Sequence, residues 1–143
     1  GDPSLEPIWA NQNQTPPPVY PSKTFDKVLS SPVDIPDNNQ QGVETVLTIN
    51  ESLTPTNVDV YLDITHPYIG DVVVILTHKQ TGTSVVVREK VGGSGDNIQG
   101  WQGKVTTFNK IDIKGDWSLV VKDVASTDAG KLNGWKLKVY YKE

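Results

Sequence analysis

The sequence predicts an all-β domain, a β-sandwich or jelly roll, and three observations carry that expectation. Apolar residues recur at every second position in several short segments. Clusters rich in Gly, Asn, Asp and Pro separate those segments and supply turn chemistry. No stretch sustains a 3.6-residue apolar period long enough for a helix. Short strands at this spacing are the pattern of sandwiches and jelly rolls.

The clearest strand is VDVYLDIT, where Val58, Val60, Leu62 and Ile64 alternate with Asp59, Tyr61, Asp63 and Thr65. In DWSLVVKD the residues Trp117, Leu119 and Val121 share one face. In WKLKVYYK the residues Trp135, Leu137, Val139 and Tyr141 share one face against lysines. VETVLTI (43–49), DVVVILTH (71–78) and TSVVVRE (83–89) complete the set. Val72 to Leu76 is apolar without a break, which predicts a central strand covered on both faces. PDNNQQG (36–42), NESLTPTN (50–57), KQTG (79–82) and GGSGDN (92–97) are the turns.

Residues 1–22 differ in kind. They hold six of the ten prolines, with the run Pro16-Pro17-Pro18, and proline neither donates to a sheet nor leaves its φ free. This segment is expected to be a Pro-rich linker from something upstream, with residues 23–143 forming the sandwich. An arm laid over the domain and anchored by Ile8 and Trp9 stands as the alternative. The first residues, GDPSLEPIW, have neither the basic nor the apolar region of a signal peptide.

Composition excludes several functions. With a net charge of −4 and 13 scattered Lys and Arg, the chain lacks the basic stripe that nucleic-acid binding needs. No 18-residue apolar run exists to cross a membrane. The chain has no Cys and no Met, which excludes disulfides and thiolate metal sites. Lacking oxidisable sulfur, it suits an oxidising exterior, and a bacterial, extracellular location is expected.

Nucleophilic catalysis finds little support. Ser94 in GGSGD is not the G-x-S-x-G elbow and reads as a glycine-rich turn. The two histidines, His66 and His78, do not have the spacing of a common zinc site, and His78, at the end of an apolar strand, is expected on the rim. Calcium is the sharper metal hypothesis, because hard cations take oxygens from carboxylates, amides and carbonyls of converging loops. PDNN, THPYIGD, GGSGDN and DVASTD are oxygen-rich, and Asp71, Asp96, Asp123 and Asp128 are the candidate ligands against a role as turn-forming aspartates. Trp117 and Trp135 are expected in the core. Trp101, in a glycine-rich stretch expected to be a loop, is the candidate binding residue, since an exposed Trp stacks on sugars, prolines or a partner domain.

Four blocks in order carry a family likeness: IPDNN (35–39), LDITHPYIGDVVVILTH (62–78), GGSGDNIQGW (92–101) and GDWSLVVKDVASTDAGKLNGWKLKVYY (115–141). From about Thr24 to Lys142 the chain resembles the P (Homo B) domain that follows the catalytic domain of proprotein convertases such as kexin and furin and of bacterial secreted proteases. The resemblance implies a galactose-binding-domain-like jelly-roll β-sandwich of about eight strands with no active site of its own. It implies a structural His66 whose ring bonds nearby backbone, and a Gly70-Asp71 turn in which Gly permits positive φ and the carboxylate accepts backbone N–H groups. It also implies a function: a non-catalytic accessory domain, packed against an upstream protease catalytic domain and supporting its folding, with Ca²⁺ as a possible cofactor. The alternatives from other classes are a module that binds a carbohydrate or a protein such as collagen, and an independent glycosidase. The latter requires two carboxylates flanking a cleft.

Overall fold

A computed structural model describes residues 19–142. The chain runs through β1 (Ser22–Ile35), β2 (Asn39–Ile49), β3 (Pro55–Thr65), a single 3₁₀ turn (Ile69–Asp71), β4 (Val72–His78), β5 (Thr83–Glu89), β6 (Ile98–Val105), β7 (Gly115–Asp123) and β8 (Gly130–Tyr141). These strands form two four-stranded sheets with the orders β1-β8-β3-β6 and β2-β7-β4-β5, and every pairing is antiparallel. Successive strands switch repeatedly between sheets, and these interleaved orders are those of a jelly roll.

The period-2 pattern becomes the core. Val58, Val60, Leu62 and Ile64 of β3 are fully buried, as are Leu119 and Val121 of β7 and Leu137 and Val139 of β8. Trp117 and Trp135 lie between the sheets, each with a partner for its indole N–H. Trp117 Nε1 donates to the Ile113 carbonyl at 2.8 Å, and Trp135 Nε1 to Thr45 Oγ1 at 2.8 Å. Phe108, in the connection between β6 and β7, meets Trp117 edge-on with centroids 4.8 Å apart.

Four expectations change. β1 and β6, at the same sheet's two edges, do not stand out as strands in the sequence. In β1 only Ile35 is fully buried, and Pro32 sits where the register slips between Val28 and Val33. β6 carries Gly100 and Gly103, which weaken any strand pattern. β4 is not covered by a second layer on both faces. Val72, Val74 and Leu76 point inward, while Val73 and Ile75 are shielded by Val86, Lys122 and Gln40 on the outer face of their own sheet. Tyr141 is half-buried at the strand end instead of in the core.

The Pro-rich linker lies, up to Pro18, outside the described residues. Its last residues lead directly into β1, and Tyr141 N–H donates to the Pro21 carbonyl at 3.0 Å. Among the described residues no helix is long and apolar enough to cross a membrane.

Candidate functional site

The four oxygen-rich loops meet at one end of the sandwich around His66 and Asp123, PDNN through the pairing of Asn39 with Asp123. His66 follows the last residue of β3 and Asp123 is the last residue of β7, and both side chains are fully buried. His66 Nδ1 accepts from the Tyr68 N–H at 3.0 Å, so the ring proton sits on Nε2, which donates to Asp123 Oδ2 at 2.8 Å. Asp123 Oδ1 accepts from the Ala125 N–H at 3.1 Å. Both carboxylate oxygens are therefore committed inside the protein.

The loops are clipped to this pair by backbone. His66 N–H donates to Asn97 Oδ1 at 3.0 Å, and Asn97 N–H returns a bond to the His66 carbonyl at 2.8 Å. Ile69 and Gly70 donate to the carbonyls of Gly95 and Gly93 at 3.0 and 2.8 Å, and Val124 N–H donates to the Asp71 carbonyl at 2.9 Å. Gly70 does not need positive φ, contrary to expectation. Its role is close approach, because a Cβ there would stand 2.8 Å from the Gly93 carbonyl oxygen. Asp71 also departs from expectation: its backbone does the holding, while its carboxyl makes no hydrogen bond among the described residues.

The calcium candidates separate on this geometry. Burial pushes the Asp71 carboxyl above its ordinary value, and the charges of Asp123, Asp128 and Asp37 push the same way, against an opposing pull from His66. Asp123 and Asp128 thus act on Asp71 by charge, joined by Asp37 of the PDNN segment, a residue the sequence reading did not name individually. Asp96 lies exposed on the 92–97 loop and is not among the charges acting on Asp71. Among the described residues, no three or more His, Asp or Glu side chains are grouped so as to hold a metal ion. Asp123, with both oxygens committed, is the poorest ligand of the set. Asp71 has the carboxyl left over, and nothing in the geometry completes a cage around it.

The remaining candidates resolve simply. Ser94 is exposed in the 92–97 turn, and among the described residues no histidine or carboxylate bonds its hydroxyl. His78 is buried instead of on the rim, because Nε2 donates to the Lys114 carbonyl at 2.9 Å, Nδ1 pairs with Thr81 Oγ1 at 2.9 Å and the ring packs on Trp117. Trp101 lies in β6 and not in a loop. It is 46% exposed on the outer face of its sheet. The residue beside it across the strands is Tyr61, whose ring meets it edge-on at 5.2 Å.

A family model of the proprotein convertase P-domain matches residues 55–139, from the start of β3 into β8, which includes the His66–Asp123 pair. The chain is similar to leupeptin-inactivating enzyme 1 of Streptomyces exfoliatus, 32% identical over 132 residues, covering 91% of this chain and 28% of that protein. It is also similar to the calcium-dependent protease of Trichormus variabilis, 29% identical over 119 residues, covering 78% of this chain and 18% of that one. The Aeromonas sobria serine protease, solved in complex with a chaperone, overlays with a TM-score of 0.67 at 18% identity, covering 95% of this chain and 29% of that one. At that identity the overlay speaks for the fold alone. The chain spans less than a third of each of these relatives. A match over more than half the chain, with the sandwich built on its motifs, places this chain in the proprotein convertase P-domain family, whose members are non-catalytic accessory domains.

Proposed function

We propose that the domain serves a larger bacterial secreted protease by packing one face of its sandwich on the catalytic domain and so favouring the folded tandem. The observation that carries this reading is how the chain's most chemically suggestive residues are used. His66, His78 and Asp123 are all tied into the fold, and the chain matches only 28% of leupeptin-inactivating enzyme 1 and 18% of the calcium-dependent protease. Burying apolar surface contributes about 25 cal/mol per Å², and a covalent linker lowers the association cost. Residues 1–22 act as that linker, and the sulfur-free composition and the relatives in Streptomyces exfoliatus and Trichormus variabilis support an extracellular bacterial setting.

Calcium enters as part of the same proposal. Support comes from the name of the calcium-dependent protease relatives and from the crowding of Asp71, Asp128 and Asp37, which a divalent cation would relieve. Asp71 and Asp128 would contribute ligands, with Asp123 ordering the loop behind them. A second reading, a module binding a carbohydrate or a protein such as collagen, draws on the exposed ring of Trp101.

The deciding experiment deletes this domain from the full-length protein that carries it and measures yield of folded protease and the thermal midpoint of the catalytic domain. Loss of yield or a lower midpoint is expected. Equal yield and an equal midpoint would overturn the proposal, and reduced binding to substrate at unchanged stability would favour the second reading.

A further inference from the structure

The outer face of the β1-β8-β3-β6 sheet carries a groove of about 680 Å³, lined by Val19, Tyr20, Tyr140, Asn57, Asp59 and Trp101, with Gly103 and Lys104 at its end. We propose that this groove is the docking site for the chain's own Pro16-Pro17-Pro18 segment, held in polyproline geometry against Tyr140 and Trp101. Residues 16–18 lie outside the described part of the chain. The inference rests on the groove and on the sequence that leads into it, independently of what the domain's catalytic partner is.

Four observations converge. The groove is aromatic at both ends: Tyr140 lies on β8 and Trp101 on β6, with β3 between them. Aromatic-lined grooves are how folded domains hold polyproline segments, because the ligand is already ordered and its rings stack on flat side chains. Secondly, the reach fits. Strands two apart are separated by roughly 9–10 Å, and three residues of polyproline helix rise about 9 Å. The segment also starts in place, since Val19 and Tyr20, which immediately follow it, already line the groove.

Charge is the third observation. The groove is lined by one carboxylate, Asp59, and one ammonium, Lys104, and the Lys138 ammonium lies 5.9 Å from the Trp101 ring centroid and 5.2 Å from that of Tyr140, so it disfavours a cationic occupant and leaves an uncharged one unopposed. Residues 7–18, PIWANQNQTPPP, carry no charged side chain. The fourth is hydrogen-bond supply. Three successive prolines offer carbonyls and no N–H. Among the described residues the Trp101 indole N–H has no protein acceptor, whereas Trp117 and Trp135 each have one. Gly103 keeps the floor open, because a Cβ there would run into the Asp59 carboxylate.

The consequence is directional. A docked segment fixes where the chain enters the domain, so an upstream domain would approach from the β6 edge instead of swinging about β1.

NMR of the whole chain tests this. Nuclear Overhauser contacts between the Trp101 ring protons and proline δ-protons of residues 16–18 are expected. In the Pro16→Ala, Pro17→Ala, Pro18→Ala triple variant those contacts disappear and the Trp101 indole signal shifts. The Trp117 and Trp135 indole signals stay put and certify the fold. In the reverse variant, Trp101→Ala, the proline δ-proton signals shift. An intact chain without any Trp101–proline contact overturns the proposal. So does a Trp101 signal that ignores the triple substitution, including the case where it moves instead on addition of a neutral gluco-oligosaccharide or a collagen peptide, which would assign the groove to an external ligand.

Discussion

Asp123→Asn separates a structural aspartate from a calcium ligand. The carboxylate accepts from the His66 Nε2–H at 2.8 Å and from the Ala125 N–H at 3.1 Å. Asparagine keeps the shape and offers one acceptor oxygen, so its own N–H₂ must face one of those two donors. Histidine cannot adapt by moving its proton to Nδ1, because that atom already accepts from the Tyr68 N–H. One buried donor is left without a partner, and a charge-assisted bond becomes a neutral one, together costing about 2–4 kcal/mol. Removing a negative charge also relieves Asp71, but Asp71 is partly exposed, so that gain is the smaller effect. For a domain of this size the loss corresponds to roughly 8–15 °C in thermal midpoint. Far-UV circular dichroism melts in excess EDTA and in millimolar CaCl₂ provide the assay. The same drop is expected in both buffers. A drop confined to the calcium buffer, or a loss below about 1 kcal/mol in both, would refute the reasoning from hydrogen bonds.

The other predictions probe charge, backbone and core. The Asp71 carboxyl binds its proton more tightly in the folded than in the unfolded chain, so its charged form opposes folding at neutral pH and that opposition fades as pH falls through the raised value. Asp71→Asn in EDTA should therefore raise the midpoint at neutral pH, with the gain vanishing in acid. A gain that grows toward low pH would contradict the sign. Gly42→Ala places a side chain at φ 68° against the Val121 carbonyl, and urea unfolding should show a loss of about 1–3 kcal/mol. An unchanged midpoint would mean the β2 bulge shifts freely. Trp117→Phe removes the donor to the Ile113 carbonyl and part of the contact with Phe108 and His78, an expected loss of about 2–4 kcal/mol by the same assay.

Strands with one buried and one wet face could be read from the sequence, and those without a clean face could not. Val58 to Ile64 and Trp135 to Val139 alternate because one side meets the opposite sheet and the other meets water. β1 escapes that logic, since as an edge strand it buries little and accommodates Pro32 at a bulge. β6 escapes for a related reason: Gly100 and Gly103 flank an aromatic that points outward, so local composition reads as a loop. Phe108 and Ile113 are fully buried core residues in a connection with no period at all. The charge chemistry was partly legible. Loop composition pointed to one acidic end, but only the fold shows that Asp96 is exposed, that Asp37 acts on Asp71, and that His66 has already claimed Asp123.

That last point bears on where function resides. THPYIGD, GGSGDN and DVASTD are the segments that most resemble chemistry, with histidine, carboxylates and glycines close together. In the folded chain His66, Gly70, Gly93, Gly95, Asn97 and Asp123 spend their donors and acceptors on one another's backbone or side chains. A jelly roll needs such a clasp, because the loops after β3, β5 and β7 close one end of the barrel-like core and would otherwise leave buried polar groups unpaired. The family signature therefore marks how the sandwich is shut, and it would persist whatever the domain bound. The residues that the signature does not emphasise include Trp101, Tyr61 and Tyr140, with Lys136 and Lys138 laid over their rings on one outer face, which is the face proposed above to dock the Pro16-Pro17-Pro18 segment. Substitutions in the clasp should lower stability and every activity together, whereas substitutions on that face should alter partnership at constant stability, and this difference is what distinguishes the two roles in any full-length protein.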